Sequence, residues 1–448
     1  MNFLKNYTKQ EKSWMMYDWA NSAESVIIVT ILPIFYDTIS ANSTAAINRW
    51  GYGTSFAMLV CALLAPLLGA LGDFNGMRKK LFMGFMSIGI ISCGLLAITP
   101  KLDVSTVEAS NRTGLLILAL YIICSIGHAG ANIYYDSFLT DVTTDERMDK
   151  VSTMGYGMGY MGGSTIPLLI FLIMNLIGIE MTTCLSFAFA LTAIWWAVFS
   201  IPIFKNVHQV NGIEPYKGVV KDSFKNLKKT MREIYHNKKM FVFLIAYFFY
   251  IDGVNTIIHM STIYGSSIGI DSTQMLLALL FIQLLGLPFA LLYIRLSEKY
   301  GTHKMISVGI CIYMFICIFG FFIKTAWQFW FLAFLIATSQ GGIQALSRSM
   351  YGKLIPDKAR SGEFFGFYDI FGRFSAIMGP TLFGISTALA QKKIMANMGV
   401  DSTASLEILD QISAKASPWG VLSVLIIFII GAILFFFVFP KIKEQQKN

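Results

Sequence analysis

Apolar stretches close to 20 residues long recur along nearly the whole chain, and no other feature limits its possible folds as strongly. About 30 Å of hydrocarbon must be crossed at about 1.5 Å per residue, so a helix of roughly 20 apolar residues spans it. Twelve such stretches are read at residues 14–36, 50–72, 82–100, 114–136, 153–175, 183–204, 239–264, 273–296, 304–323, 327–350, 362–389 and 417–440. The expected class is an all-α polytopic membrane protein with twelve transmembrane helices. Charged residues make up 14% of the 448, against about 25% in soluble domains. That scarcity, with 55% hydrophobic residues, excludes a soluble enzyme, a nucleic-acid binder and a disordered chain. The first apolar stretch is long and carries Asp18 and Glu24, unlike the roughly 7–15 apolar residues of a cleavable signal. The six cysteines form no CxxC pair, so neither a disulfide framework nor a zinc site is expected.

Lysine and arginine set the orientation. An even number of spans puts both ends of the chain on one side. That side carries 27 of the 35 basic residues, the other side carries 7, and Arg373 lies inside a span. Both termini are therefore expected in the cytoplasm, in a multi-pass membrane protein of the bacterial inner membrane. The net charge of +9 is largely this bias and calls for no acidic partner. A basic loop at 205–238 divides the chain into a six-helix bundle at 1–204 and a second at 239–448. Within it Val220, Phe224, Leu227, Met231 and Ile234 recur at helical spacing among lysines. That pattern fits either an amphipathic helix on the inner leaflet or a solvated linker helix.

Polar residues inside the spans follow a period of three. Span 1 carries Asp18, Asn21 and Glu24; span 4 carries His128, Asn132 and Asp136. Span 7 carries Asp252, Asn255 and His259; span 10 carries Gln340, Gln344 and Arg348. Apart from Lys304 at the very start of span 9, spans 3, 6, 9 and 12 hold no charged, amide or histidine side chain. Polar groups are costly in lipid unless they face a cavity or a partner. Helices 1, 4, 7 and 10 are thus expected to line an aqueous path, and 3, 6, 9 and 12 to face lipid. Three-helix repeats within two six-helix halves are a common plan of secondary transporters. The halves also echo locally: Asp18-Trp-Ala-Asn21-Ser22 in span 1 matches Asp252-Gly-Val-Asn255-Thr256 in span 7. The shared D-x-x-N-[S/T] places carboxylate and amide on one helix face.

Between spans 2 and 3 stands Gly69-x-x-x-Asp73-x-x-Gly76-x-Arg78-Lys79-Lys80, and a weaker copy, Glu298-Lys-Tyr-Gly301-Thr-His303-Lys304, stands between spans 8 and 9. Glycine permits a tight turn there, and the Asp73 carboxylate is placed to accept hydrogen bonds from a neighbouring helix start. In span 5, Gly155, Gly159 and Gly163 recur every four residues, giving a face another backbone can approach closely.

The Gly69–Lys80 turn resembles the loop signature of the major facilitator superfamily, departing at Phe74 and Met77, where that family often has basic residues. Two segments narrow the resemblance. One is Trp14-Met-Met-Tyr17-Asp18-Trp19-Ala20-Asn21-Ser22-Ala23; the other is Gln344-Ala-Leu-Ser347-Arg348-Ser349 continuing to Glu363-Phe-Phe-Gly366-Phe-Tyr368-Asp369. With Asp252-Gly253 they resemble the branch that contains the fungal autophagy-related vacuolar effluxer and its bacterial relatives. The resemblance implies the major facilitator fold, two six-helix bundles and alternating access. It also implies amino-acid efflux, the role linked to the fungal member. Glu24 departs from it, since an apolar or aromatic residue is expected there.

The expected function is secondary active, proton-coupled efflux of a small polar solute such as an amino acid, without enzyme activity. No HExxH is present and no cofactor is expected. The expected partners are solute, protons and membrane lipids, with no nucleic acid, and the chain is expected to act as a monomer. A lipid flippase or a non-transporting sensor on the same fold is the alternative. The candidate solute and proton path comprises Asp18, Asn21, Glu24, His128, Asn132, Asp252, Asn255, His259, Gln340, Gln344, Asp369 and Arg373. A carboxylate buried in the membrane can carry a proton, which singles out Asp18, Glu24 and Asp252. Asp369 and Arg373 stand four apart and can pair along their helix, or Arg373 can clamp a substrate carboxylate. The candidate cytoplasmic gate comprises Gly69, Asp73, Gly76, Arg78, Asp136 and Arg348. Reporter fusions should place residues 205–238 and both termini inside and the loop at 390–416 outside; the reverse pattern would overturn the orientation.

Overall fold

The computed structural model describes residues 4–40, 44–214, 219–400 and 405–442. Lys443 and Lys447 of the basic tail, residues 215–218 of the linker and 401–404 of the 390–416 loop lie outside them. Eleven helices among the described residues are long and apolar enough to cross a membrane. They are α1 Lys9–Ile39, α2 Asn48–Gly72, α3 Met77–Lys101, α4 Val107–Val142, α5 Met148–Leu176, α6 Met181–Asn206, α7 Lys238–Ser261, α8 Thr273–Tyr300, α9 Thr302–Phe321, α10 Ala326–Leu354 and α12 Glu407–Lys441. The twelfth long helix, α11, runs from Ser361 to Met398 and carries Glu363, Asp369 and Arg373. All-helical architecture suits a solvent that offers the backbone no hydrogen bonds, because each helix satisfies its own.

The ends of the helices are set by local chemistry. Thr8 and Glu11 form a reciprocal capping box at the start of α1: Glu11 N–H donates to Thr8 Oγ1 at 3.1 Å, and Thr8 N–H donates to Glu11 Oε2 at 2.8 Å. Asp271 caps the α8 helix by accepting from the amides of Thr273 and Gln274. The turns before α3 and α9 both rest on a left-handed glycine, Gly76 at φ 77° and Gly301 at φ 89°. A side chain at either position would be strained.

The described contacts divide the chain into two compact units. The first holds residues up to Thr230 together with Ile355–Ile370, so the beginning of α11 packs with α1 to α6. The second holds Met231–Leu354 and the chain from Phe371 onward. The linker helix Val219–His236 crosses the boundary. Thr230 and Ile234 on it are buried, whereas Met231 and Tyr235 are exposed; the side chains of Val220 and Phe224 lie outside the described set.

Burial sets two of the three helix classes apart. The most apolar stretches of α1, α4, α7 and α10 are 50–61% buried and those of α3, α6, α9 and α12 33–44%, while the third class spreads from 22% on α8 to 56% on α5. Exposed large side chains on the latter include Ile91, Ile194, Phe315 and Phe437. A close backbone-to-backbone crossing in the first unit joins α3 and α4. A Cβ on Gly127 would collide with the Gly89 backbone and lie 2.8 Å from the Phe85 carbonyl oxygen. Backbone cannot swing aside as a side chain can. Gly127→Val should therefore destabilise the protein by roughly 1–3 kcal/mol, seen as a lowered melting temperature in detergent. An unchanged melting temperature would show that α3 and α4 separate freely.

Candidate functional site

Two polar centres are built into the first unit. One lies deep between α1 and α4. Asn21 donates from Nδ2 to Asn132 Oδ1 at 2.8 Å. The Nδ2 of Asn132 lies 3.1 Å from His128 Nε2, and His128 Nδ1 lies 3.0 Å from Glu24 Oε2. The result is a chain of four side chains ending on a carboxylate that is 1% exposed. The i, i+3 spacing on α1 and the i, i+4 spacing on α4 put each pair on one face, so a single helix contact joins all four. The His128 ring stands edge-on to Trp196, with centroids 5.5 Å apart, which fixes its plane. Just beyond Glu24, residues Ile27–Ile31 form a π-helical turn. Such a wide turn interrupts regular backbone pairing and often marks a functional position.

Asp18, one turn earlier on α1, is engaged differently. Tyr135 donates from its hydroxyl to Asp18 Oδ2 at 2.7 Å. Trp14 donates from Nε1 to the Tyr135 carbonyl and stacks on the Tyr135 ring at 4.4 Å. The Trp14–Ala23 segment thus has a structural use in which its aromatic residues hold a carboxylate against α4.

The other centre is the turn between α2 and α3. Arg78 is fully buried and joins two carboxylates, Asp73 at 2.9 Å and Asp141 at 2.6 Å. The same Asp73 carboxylate also holds the start of α11. Gly362 N–H donates to Asp73 Oδ1 at 2.7 Å and Glu363 N–H to Oδ2 at 2.9 Å. A carboxylate at a helix N-terminus meets unpaired amides and the positive end of the helix dipole. Side chains at Gly69, Gly362 or Gly366 would collide with facing backbone, so α2 and the start of α11 touch main chain to main chain. Burial pushes the Asp73 carboxyl up to about 7, against the pull of Arg78 and the two amides. Its charge at neutral pH therefore depends on those partners.

The linker reinforces this turn. Asn75 N–H donates to the Ile213 carbonyl at 2.9 Å, Ile213 N–H to the Asp73 carbonyl at 2.8 Å, and Asn211 N–H to Asp141 Oδ1 at 2.8 Å. Gln209 donates to the Gly72 and Asp73 carbonyls. Periodicity pointed only to the helix further along the linker. The stitched segment has no periodic signal, though Gln209-Val-Asn211-Gly212 is a run rich in amide donors.

In the second unit, Asp252 repeats the Asp18 arrangement with a different outcome. Gly379 N–H of α11 donates to Asp252 Oδ1 at 2.9 Å. A Cβ on Gly379 would collide with Thr256 Oγ1 and sit 2.9 Å from Asp252 Oδ1. The equivalent contact in the first unit is on α5, where a Cβ on Gly155 would lie 2.5 Å from Asp18 Oδ2 and one on Gly159 2.5 Å from Ser22 Oγ. Each D-x-x-N-[S/T] copy thus presses its carboxylate and hydroxyl onto glycines of the fifth helix of its own sequence half. The two gate-loop copies diverge more: Glu298 is exposed, and His303 instead stacks on Phe435 at 4.6 Å and contacts its carbonyl oxygen at 2.9 Å.

The remaining candidates are spread out. Asn255 is half-buried and His259 exposed on α7; Gln340 and Gln344 are half-buried on α10. Arg348 is buried in the second unit, and Asp136 is half-buried near the end of α4. Asp369 and Arg373 stand one turn apart on α11, one on each side of the unit boundary.

The turn geometry makes a specific expectation. Asp73→Asn keeps the shape but weakens charge-assisted hydrogen bonds that contribute about 1.5–3 kcal/mol. Solute flux should slow about tenfold with little change in half-saturation; a pure affinity loss at unchanged turnover would argue against a gating role.

Known proteins place the chain. The sequence model of the family described as "Vacuole effluxer Atg22 like" matches residues 49–393. An uncharacterised MFS-type transporter of Bacillus subtilis, YxiO, is 41% identical over 99% of both chains. Autophagy-related protein 22-1 of Neosartorya fischeri is 24% identical over 55% of this chain and 45% of its own length, so the match spans just under half of that fungal relative. Among solved structures, the proton:xylose symporter XylE superposes with a TM-score of 0.69 at 12% identity, covering 96% of this chain and 95% of its own. The human organic anion transporter MFSD10 gives 0.67 at 11%, covering 95% and 99%. At such identities the likeness is one of fold. Homologues and structural neighbours are transporters rather than enzymes. The chain is a multi-pass membrane protein with the twelve-helix major facilitator fold, and it belongs to the Atg22-like family of that superfamily.

Proposed function

We propose that the protein is a proton-coupled secondary transporter that exports a small polar solute, with zwitterionic amino acids the favoured class. The observation that carries this reading is the buried chain Asn21–Asn132–His128–Glu24. A carboxylate in hydrocarbon is costly when charged and unpaired. Beside His128 it can release its proton to the imidazole and regain it, a transfer that a purely structural amide pair could not perform. The wide turn after Glu24 gives α1 a place to bend as the charge changes. In this reading the remaining polar residues of α7, α10 and α11, namely Asn255, His259, Gln340, Gln344, Asp369 and Arg373, contact the solute. The Asp73–Arg78–Asp141 cluster, with Gly69 and Gly76 in its turn, is the cytoplasmic gate, supported by its hold on the start of α11; Asp136 and Arg348 near the same side assist it. The description of the family as effluxers supports export, the charge bias supports both termini inside, and the Bacillus subtilis relative supports a bacterial membrane; in this reading the protein acts as a monomer.

Proteoliposome counterflow with a labelled amino-acid panel tests the substrate class, and no exchange of any amino acid would overturn it. Glu24→Gln fixes the neutral state at nearly constant shape. It should lose accumulation driven by an imposed pH gradient, yet retain exchange within about tenfold, since one neutral hydrogen bond contributes about 0.5–1.5 kcal/mol. Accumulation of solute by Glu24→Gln with only a pH gradient present would move the coupling site elsewhere, with Asp18 next to be tested.

A further inference from the structure

The aromatic stack around His303 gathers three helix ends of the second unit. α9 and α12 run side by side, with Tyr313 stacked on Phe428 at 5.6 Å. Where α9 begins, α12 ends in the π-helical turn Leu434–Val438. His303 stacks on Phe435 at 4.6 Å and on Phe439 at 5.8 Å. Lys239 at the start of α7 stands over the same Phe439 ring, its Nζ 5.8 Å from the centroid. Each of the three helix ends carries an exposed lysine beside the stack: Lys238 on α7, Lys304 on α9 and Lys441 on α12. None of these three lysines forms an ion pair among the described residues. From two of them an apolar stripe continues along the helix. Val308 and Phe315 follow Lys304 on one face of α9, and Phe437, Ile433 and Ile430 lead away from Lys441 on α12; all five are exposed.

We infer that this rim binds an anionic phospholipid, its phosphate among Lys238, Lys304 and Lys441 and its acyl chains along the exposed stripes of α9 and α12. Charge selects the headgroup. Three ammonium groups without ion-pair partners converge on one stack, and basic sites between transmembrane helices at headgroup depth take anionic lipids. Glu298 near the end of α8 stands between Arg295 and Lys299, so that neighbouring helix end adds no net negative charge. Position selects the depth. α7 and α9 begin and α12 ends at this rim, where long lysine side chains reach from the apolar span to the headgroups. The stripes select a lipid over a free phosphate, because only a lipid has chains to cover the apolar rows that start at Lys304 and Lys441. A headgroup held by both lysines ties the end of α12 to the start of α9, in addition to the contact through His303. The site is separate from the proton and solute assignments and requires only that the spans cross a membrane.

The test needs no transport assay. Purified full-length protein is heated in neutral detergent, at fixed pH and ionic strength, with increasing phosphatidylglycerol, phosphatidylcholine or soluble glycerol phosphate. Phosphatidylglycerol should raise the melting temperature with saturable dependence, because it binds the folded state; the other two should leave it unchanged. One lysine near an anionic lipid surface contributes about fivefold in affinity. Lys304→Gln combined with Lys441→Gln should therefore raise the half-saturating phosphatidylglycerol level roughly thirtyfold. Lys5→Gln combined with Lys9→Gln removes the same charge from the start of the first unit and should leave half-saturation unchanged. All four side chains are exposed, so both double variants should fold. No response to phosphatidylglycerol, an equal rise with phosphatidylcholine, a full response to glycerol phosphate, or equal weakening by the two double variants would overturn the assignment.

Discussion

Hydrocarbon offers no hydrogen bonds, and every buried polar group in this protein is placed by that constraint. The backbone answers it by being helical almost throughout the described residues. The side chains answer it by finding each other across helix pairs, because an unpaired polar group in lipid costs several kcal/mol. Glu24 could not sit mid-span in α1 without something to face, and α4 supplies His128, with Asn132 and Asn21 completing the line. Fully buried Arg78 exists on the same terms, held by two carboxylates and the carbonyls of Gly72 and Ser137.

The repeat shows how one packing solution serves two chemistries. In both halves a carboxylate and a hydroxyl one turn apart face glycines, because only glycine leaves room for the helices to approach. The aromatic cage around Asp18 then satisfies the first carboxylate. The second carboxylate, Asp252, is held instead by a backbone amide of α11, that of Gly379. The two copies share the helix-to-glycine geometry and differ in what completes each carboxylate.

The cytoplasmic turn works on a shorter range. A left-handed glycine, a buried guanidinium and the first amides of α11 together fix where α11 begins. The Gln209–Ile213 strap adds backbone hydrogen bonds that are independent of charge. Breaking either set exposes the other, so the turn is expected to respond as a unit. A sequence half that carries a weaker copy of the motif uses aromatic stacking of His303 instead, a contact that salt does not screen.

Periodicity and charge alone determined the membrane spans and the three-helix period of polar residues, since hydrocarbon thickness and the cost of lipid-exposed charge act on local sequence; that Ile355–Ile370 groups with the first unit was not legible there. The resemblance of two short segments gave the family. Sequence also named Glu24, His128, Asn132 and Asn21 among twelve candidate path residues, because each stands out inside an apolar helix. It could not pair Glu24 with His128, because 104 positions separate them and only the α1–α4 contact brings them to 3.0 Å. Nor could it connect Asp73 to Gly362 or Asp141 to Asn211. Those hydrogen bonds rest on how helix ends and a non-periodic strap meet in space, and nothing in local residue order encodes that meeting. Tertiary structure likewise decided that Asp18 is met by the Tyr135 hydroxyl while Asp252 is met by the Gly379 amide, although the two motifs read alike.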